Sequence, residues 1–536
     1  MYDPLIKRIR SWLPMLVLAA LMAACAPAPA SQTAPDTADT GAETAADTPA
    51  GEPVSGGTLY IGQDFGPQTF DPHKNLAWAS INIYESIYNG LVKWNEDETE
   101  LVPDLATAWE ISEDGLVYTF TIRQGVTFHN GREMTAEDVK FSIDRLRDPD
   151  VSVHAAKYNL IESVDVLDAE TVQITLSQPF GTLLLFLVDR YSIIPMEAVD
   201  TLETDPVGTG PFMLEEYAID QHVRLVRNPD YYEEGYPLLD AVEFKILGDE
   251  ASKESALRTR SVDMVWFRDP RQAEAVVDSV DGLVSQPGIP SRYIDIRLNL
   301  CEAPFDDVRV RRALSLAMNR ELLIETVIPS RYGGAVSGIV EPSSPFFATD
   351  TLPYYEHDVE AARALLAEAG YPDGITIEEP YKVVAANQLD VDAAQVLQQM
   401  WAAAGIEVTI APMEVGQILD DWRTGNGLMV QVGNTWEPDP DTRLYAILHS
   451  DSPIAQAYCW EDAEMDSLLE AGRATVDRDE RAEIYRQLQE RVADQAYSLV
   501  LYGYPLRWEV WWDDVMDYNT VPSNSRWATR YTWLNR

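Results

Sequence analysis

Residues 56–536 predict an α/β protein with a mixed sheet in each lobe, on three observations. Apolar runs of strand length interleave with amphipathic runs of helix length along the whole stretch. Hydrophobic residues make up 46% of the chain and aromatic residues 10%, enough to fill a large core and to exclude a disordered protein. No segment recurs at a fixed period, which argues against a solenoid or a propeller.

The elements follow in order. Residues 57–62 (Gly-Thr-Leu-Tyr-Ile-Gly) read as a first strand, broken at Gly66-Pro67. Residues 79–88 have a helical apolar face and stop at Asn89-Gly90. Residues 117–123 alternate as a half-buried strand after a turn at Glu113-Asp114-Gly115. Thr135, with Asp138 three positions on, forms a capping box that opens a helix to about Leu146. Strands are expected at 172–176 and 223–226, and helices at 308–318 and 359–369, the second stopped by Gly370 and Pro372. Further strands are expected at 407–410 and 428–432, then a helix at 481–496 and a buried strand at 499–502.

The first 55 residues carry no core. Lys7, Arg8 and Arg10 precede an apolar run at 12–22, the length of a signal-peptide apolar region and short for a bilayer span. Met22-Ala23-Ala24-Cys25 resembles the bacterial lipobox, so residues 1–24 are expected to be removed and Cys25 to carry lipid. The alternative is ordinary cleavage nearby with a soluble product. Residues 26–55 are almost entirely Ala, Pro, Thr, Asp, Glu and Gly, a coil spanning roughly 30 Å that suits a membrane tether. No other apolar run reaches spanning length.

Net charge is -48, a surface that repels phosphate backbones and excludes nucleic-acid binding. Apart from Cys25 there are two cysteines, Cys301 and Cys459. An even pair outside the cytoplasm reads either as a disulfide or as two separately buried thiols.

Seven blocks in order resemble the family 5 solute-binding proteins of ABC importers, the dipeptide, oligopeptide and nickel binders. They are Glu85-Ser-Ile-Tyr-Asn-Gly-Leu-Val92 with Leu101-Val-Pro-Asp-Leu-Ala-Thr-Ala-Trp109; Tyr118-Thr-Phe-Thr-Ile-Arg-Gln-Gly-Val-Thr-Phe-His-Asn-Gly131, running into Thr135-Ala-Glu-Asp-Val139; Gly208-Thr-Gly-Pro-Phe212; Arg227-Asn-Pro-Asp-Tyr-Tyr232; Pro304-Phe-Asp-Asp-Val-Arg-Val-Arg-Arg-Ala-Leu314; residues 361–370 with Tyr371-Pro372; and Pro438-Asp-Pro-Asp441. These residues read as scaffold: Gly115 and Gly131 for turns, Pro103 and Pro211 for chain direction, Arg309 and Arg311 paired with Asp306 and Asp307 at a helix start.

The resemblance implies a periplasmic-binding-protein-like type II fold, with two α/β lobes around a ligand cleft and an extra third domain. It places lobe I at 56–95, 205–290 and 500–536, the extra domain II at 96–204, and lobe III at 291–499, with hinge crossovers near Pro290 and Val500. It further implies a lipid-anchored monomer on the periplasmic or extracytoplasmic face. Its partners would be a small-molecule ligand, most simply a di- or oligopeptide, and an ABC permease with its ATPase subunits. It implies no cofactor and no catalysis. An oligosaccharide, an opine or chelated nickel are alternative ligands.

Candidate ligand contacts sit where strands cross or end: Phe65 after the first strand, Trp266 and Arg268, Tyr293 entering lobe III, Arg423, Trp436 with Glu437, and Tyr502 in the last buried strand. Trp436 stands where peptide binders of the family often have an Asp for the ligand ammonium. A Trp offers a stacking face instead, and Glu437 is the neighbouring carboxylate. Core packing is the competing role for Trp266 and Trp436, and a solvated surface for Arg268. The aromatic run Arg507-Trp-Glu-Val-Trp-Trp512 reads as lobe packing or as a sugar-stacking surface.

The hydrolase and surface-chaperone classes find little support. The chain has no His-Glu-x-x-His, Gly-x-Ser-x-Gly or P-loop, and its six histidines are scattered without ligand spacing. Gly208-Thr-Gly-Pro lacks the spacing of a dinucleotide fingerprint.

Overall fold

In the computed structural model, the strand expected at 57–62 forms as Thr58–Gln63 in the middle of a seven-stranded sheet. The structure describes residues 52–536 apart from 76–77, 97, 99, 190–191, 287–288, 329–333, 349–351, 436, 438, 506, 520 and 522–526. The expected signal segment, Cys25 and nearly all of the tether lie outside the described residues, as does Trp436.

The sheet order is Leu283–Val284, Trp508–Trp512, Met264–Phe267, Thr58–Gln63, Ala241–Ile246, His222–Arg227 and Phe212–Ala218. Thr58–Gln63 runs parallel to both of its neighbours, and the outer pairs are antiparallel, so the sheet is mixed as its sequence predicts. A second, five-stranded sheet takes the order Ile410–Met413, Tyr381–Val384, Met429–Thr435, Arg292–Leu298 and Ser498–Tyr504. Between the first and second pieces of the large sheet, Ala106–Ile111, Val117–Ile122, Thr171–Leu176 and Ile161–Asp168 form an antiparallel sheet of their own. Its core of Tyr118, Phe120, Val172 and Ile174 is covered by Val139 and Ile143 of the helix Ala136–Leu146.

Local chemistry explains the sequence blocks. Asp138 Oδ2 accepts from the Thr135 amide at 2.9 Å, which closes the capping box, while Arg132 grips the same carboxylate at 2.6 Å. Gly208 and Gly210 lie against the end of the helix Trp78–Ile87. A Cβ on Gly208 would stand 2.0 Å from the Ile87 carbonyl oxygen, so this block is a close-packing device. Asp439 caps the helix Pro440–Leu448 and takes two hydrogen bonds from buried Arg481, at 2.7 and 2.8 Å.

Four expectations change. The strand expected at 407–410 is two short ones: Ile406–Glu407 pairs with Ile375–Thr376, and Ile410–Met413 pairs with Tyr381–Val384. The lobe boundary expected at Val500 falls later, because Ser498–Tyr504 pairs with Arg292–Leu298 through the register Arg292 with Tyr504. The chain therefore leaves one large sheet after Val284 and enters the other at Arg292, and returns between Tyr504 and Trp508. Arg309 pairs with Asp307 at 2.5 Å as expected, but Arg311 is buried and donates to the carbonyl oxygens of Phe305 and Gln495. Trp508, Trp511 and Trp512 are buried, which removes the C-terminal aromatic run as a sugar-stacking surface.

Cys301 and Cys459 form a disulfide, their Cα atoms 5.2 Å apart. No helix among the described residues is long and apolar enough to cross a membrane.

Candidate functional site

Parallel strands place their carboxyl ends on one edge of a sheet, and ligands of open α/β sheets gather beyond that edge. Met264–Phe267, Thr58–Gln63 and Ala241–Ile246 are parallel, and Phe212–Ala218 shares their direction through two antiparallel steps. A cavity of about 1440 Å³ opens there, walled by residues in and after these strands together with Asn82 of the helix Trp78–Ile87 and the loop at 203–205.

One end of the cavity is built on Trp266. Its indole is nearly buried and cations flank it: Lys253 Nζ lies 4.1 Å from the ring centre, the Arg507 guanidinium 4.3 Å and that of Arg268 5.6 Å. Lys253 is fully buried. It lies 2.9 Å from Asp64 and 2.8 Å from Glu250, and donates to the Trp266 carbonyl oxygen at 2.8 Å. An ammonium buried between two carboxylates offsets its lost hydration through these contacts and holds Asp64 in place. Asp64 Oδ2 in turn accepts from Arg268 Nη2 at 2.5 Å. The Arg268 side chain is 60% exposed, so this chain of contacts fixes an arginine that still faces water.

Phe65, 62% exposed, stands beside it in the wall. A large ring left in water at a cavity rim is a contact surface for an apolar group. At the far end, Tyr217 donates to the Pro67 carbonyl oxygen at 2.9 Å and meets Phe70 edge-on at 5.2 Å. That joins the loop after the first strand to the hairpin bearing Ile219 and Asp220.

The structure thus brings Phe65, Trp266 and Arg268 together in the cavity wall, which does not include Tyr293, Arg423, Glu437 or Tyr502, while Trp436 lies outside the described residues. Tyr293 and Tyr502 are completely buried in the five-stranded sheet, whose two faces are both covered, and burial pushes both phenols upward. Arg423 is exposed in the last turn of the helix Val415–Thr424 and donates to the Leu419 carbonyl oxygen of its own helix. Glu437 is half-buried, 3.5 Å from Arg443. Arg443 continues into a network of the interior: it donates to Asn434 Oδ1, Asn434 donates to Asp295, and Asp295 pairs with Arg297 at 2.7 Å. Glu341 lies near this network, and burial pushes its carboxyl up to about 8.

Sequence reasoning passed over Arg507, Gln63, Asn82 and the carboxylates of 203–205 and 215–220. Arg507 sits in the second crossover, beside three tryptophans that dominate any reading of the segment. The carboxylates carry no local signal in a chain with 88 of them.

Residues 100–453 match the family described as bacterial extracellular solute-binding proteins, family 5 Middle. The dipeptide-binding protein of Escherichia coli is 30% identical across 84% of this chain and 89% of its own. Heme-binding protein A of Haemophilus influenzae is 32% identical across 80% of this chain and 84% of its own. Among solved structures, an ABC transporter-associated periplasmic binding protein of Helicobacter pylori in complex with the peptide STSA superposes with a TM-score of 0.71 at 27% identity, covering 90% of this chain and 99% of that one. An ABC transporter substrate-binding protein of Listeria monocytogenes superposes with a TM-score of 0.80 at 24% identity, covering 90% of this chain and all of that one.

Proposed function

This chain is a member of the family 5 bacterial extracellular solute-binding proteins, and from that premise we propose that it captures peptides for an ABC importer, at the carboxyl edge of the seven-stranded sheet. The observation that carries the reading is the cavity of about 1440 Å³, where Phe65, Trp266 and Arg268 meet. An exposed ring supplies apolar contact for side chains. A fixed, water-facing guanidinium supplies two parallel donors for a carboxylate. Arg507, which lies in the second crossover, stands in the same wall, and a ligand that also met the other lobe would favour the closed arrangement by its own binding free energy. The closed form is what a permease would engage, with its ATPase subunits driving release; the binding protein works as a monomer and does no chemistry. Removal of residues 1–24 and lipid on Cys25 would hold it at the extracytoplasmic face of the membrane.

The test is a thermal-shift panel of di- to pentapeptides, oligosaccharides and nickel with and without chelators. A peptide at 100 times its dissociation constant stabilises the native state by about 2.7 kcal/mol. Peptide stabilisation that disappears in Arg268→Gln supports the assignment. Stabilisation by sugars or nickel alone refutes it. Mass spectrometry of the membrane fraction tests the anchor: a diacylglyceryl group on Cys25 is expected, and an unmodified chain starting elsewhere contradicts it.

A further inference from the structure

The cavity wall is electrically lopsided. Arg268 and Arg507 stand at the Met264–Phe267 side, and the carboxylates Glu203, Asp205, Glu215, Glu216 and Asp220 belong to the other. Three of these are already engaged: Glu203 with Lys74 at 2.7 Å, Glu215 with Arg224 at 2.6 Å, and Glu216 with His222 at 3.5 Å. Asp205 and Asp220 have no ion pair among the described residues, and both are exposed. They are near one end of the sheet. Asp220 lies in the turn after Phe212–Ala218, next to Ile219. The Glu203 carbonyl oxygen accepts from the Phe70 amide at 3.1 Å, and Phe70 abuts Tyr217 of that same strand.

Two neutral groups in the wall point to the same ligand chemistry. Gln63 and Asn82 are 3% and 2% exposed, and the side-chain oxygen of each has no partner among the described residues. The Gln63 amide nitrogen donates to the Phe65 carbonyl oxygen at 2.7 Å, which fixes the amide and leaves its buried oxygen as the unpaired atom. Asn82 belongs to the helix Trp78–Ile87, which packs on the strand Phe212–Ala218 at the acidic side. Buried acceptors are satisfied in nearly all proteins, so these two call for N–H donors from a ligand. A polypeptide in extended form supplies such donors at intervals.

The dimensions give a length. Four inter-strand steps separate Met264–Phe267 from Phe212–Ala218. At about 4.8 Å per step they span about 19 Å, and an extended chain advances about 3.3 Å per residue, which makes five or six residues. Resting on the reading of this cavity as the peptide site, we infer that it selects extended peptides of about five residues that carry a basic side chain at the amino-terminal end and a free carboxylate at the other. The carboxylate lies at Arg268, and the amino-terminal charges lie at Asp205 and Asp220. Arg268 has five N–H donors of which Asp64 takes one, so its fork is open to the carboxylate. A net charge of -48 adds a long-range field that draws cations toward the protein.

Calorimetric titration of the purified protein with four pentapeptides tests this: Lys-Ala-Leu-Ala-Gly, Gln-Ala-Leu-Ala-Gly, Glu-Ala-Leu-Ala-Gly, and the first with its carboxyl amidated. The Lys peptide is expected to bind about tenfold tighter than the Gln peptide, and the Glu peptide weaker still, with the spread shrinking in high salt. Amidation is expected to cost at least about tenfold, and this cost disappears in Arg268→Gln. In the double variant Asp205→Asn, Asp220→Asn the Lys-to-Gln affinity ratio falls to about one. Equal binding of the Lys, Gln and Glu peptides overturns the charge selection while leaving the peptide site standing, as does a preference that survives in the double variant. Binding of none of the four overturns the selection and the peptide-site reading together.

Discussion

The carboxyl edge of the seven-stranded sheet and the interior of the five-stranded sheet both gather charge and aromatic rings, yet one is open and the other closed. At the open edge, Phe65 and Arg268 face water, and Gln63 and Asn82 present buried oxygens without partners. In the closed interior, Asp295 and Arg297 are both completely buried and pair at 2.7 Å, with Asn434 and Arg443 linked to them. The first arrangement leaves interactions unmade inside a shaped cavity, as a binding surface requires. The second is enclosed, and although Tyr293 Oη, Arg297 Nη1 and Arg443 Nε also lack hydrogen-bond partners among the described residues, its buried ion pair supports the fold. Residue type alone does not separate the two, since Tyr293 in the closed set and Phe65 in the open one are equally plausible as ligand contacts. Accessibility separates them.

Substitutions at the two places should therefore differ in kind. The largest stability effect is expected from Arg297→Met, which leaves Asp295 buried without its cation and costs about 3–5 kcal/mol in a denaturant titration. A loss below about 1 kcal/mol would mean that water reaches Asp295 and that the interior is not closed. Next, replacing Cys301 and Cys459 by Ser opens a cross-link across 158 residues and should cost about 2–5 kcal/mol, with the loss mirrored by adding reductant to the native protein.

Glu341 sharpens the comparison through pH. Burial raises its carboxyl from the ordinary 4.5 to about 8, so the folded state holds the proton more tightly than the unfolded chain. The stability this confers is complete below pH 4.5 and is lost as pH rises to 8. Glu341→Gln should therefore melt higher than the native protein at pH 8 and alike at pH 4. Identical melting at pH 8 would mean that Glu341 ionises freely. The smallest stability effect belongs to the open edge: Phe65→Ser should stay within about 0.5 kcal/mol of the native protein, because the ring is already in water. A larger loss would show that Phe65 packs against the fold.

The α/β class and many elements were legible because they rest on local chemistry. Thr135 and Asp138 cap a helix from four residues of sequence, and the alternation at 117–123 becomes the strand Val117–Ile122. The crossover was not legible, since the apolar residues 499–502 do not reveal that pairing with Arg292–Leu298 runs on to Tyr504. The burial of Tyr293 and Tyr502 was not legible for a related reason: an apolar strand covered on both faces has no alternation to mark an open side. Part of the candidate site could be read from sequence because Phe65, Trp266 and Arg268 follow recognisable strands. Asp205, Asp220 and Asn82 could not, because they converge only when a hairpin, a loop and a helix meet at one edge.

The most direct test of the open edge as the peptide site is the dissociation constant of Lys-Ala-Leu-Ala-Gly measured by calorimetry for the native protein and for a Phe65→Ser, Arg268→Gln double variant of unchanged melting temperature. Loss of the apolar and carboxylate contacts together should weaken binding by about a hundredfold or more. An unchanged dissociation constant would place the ligand elsewhere in the molecule and contradict the assignment.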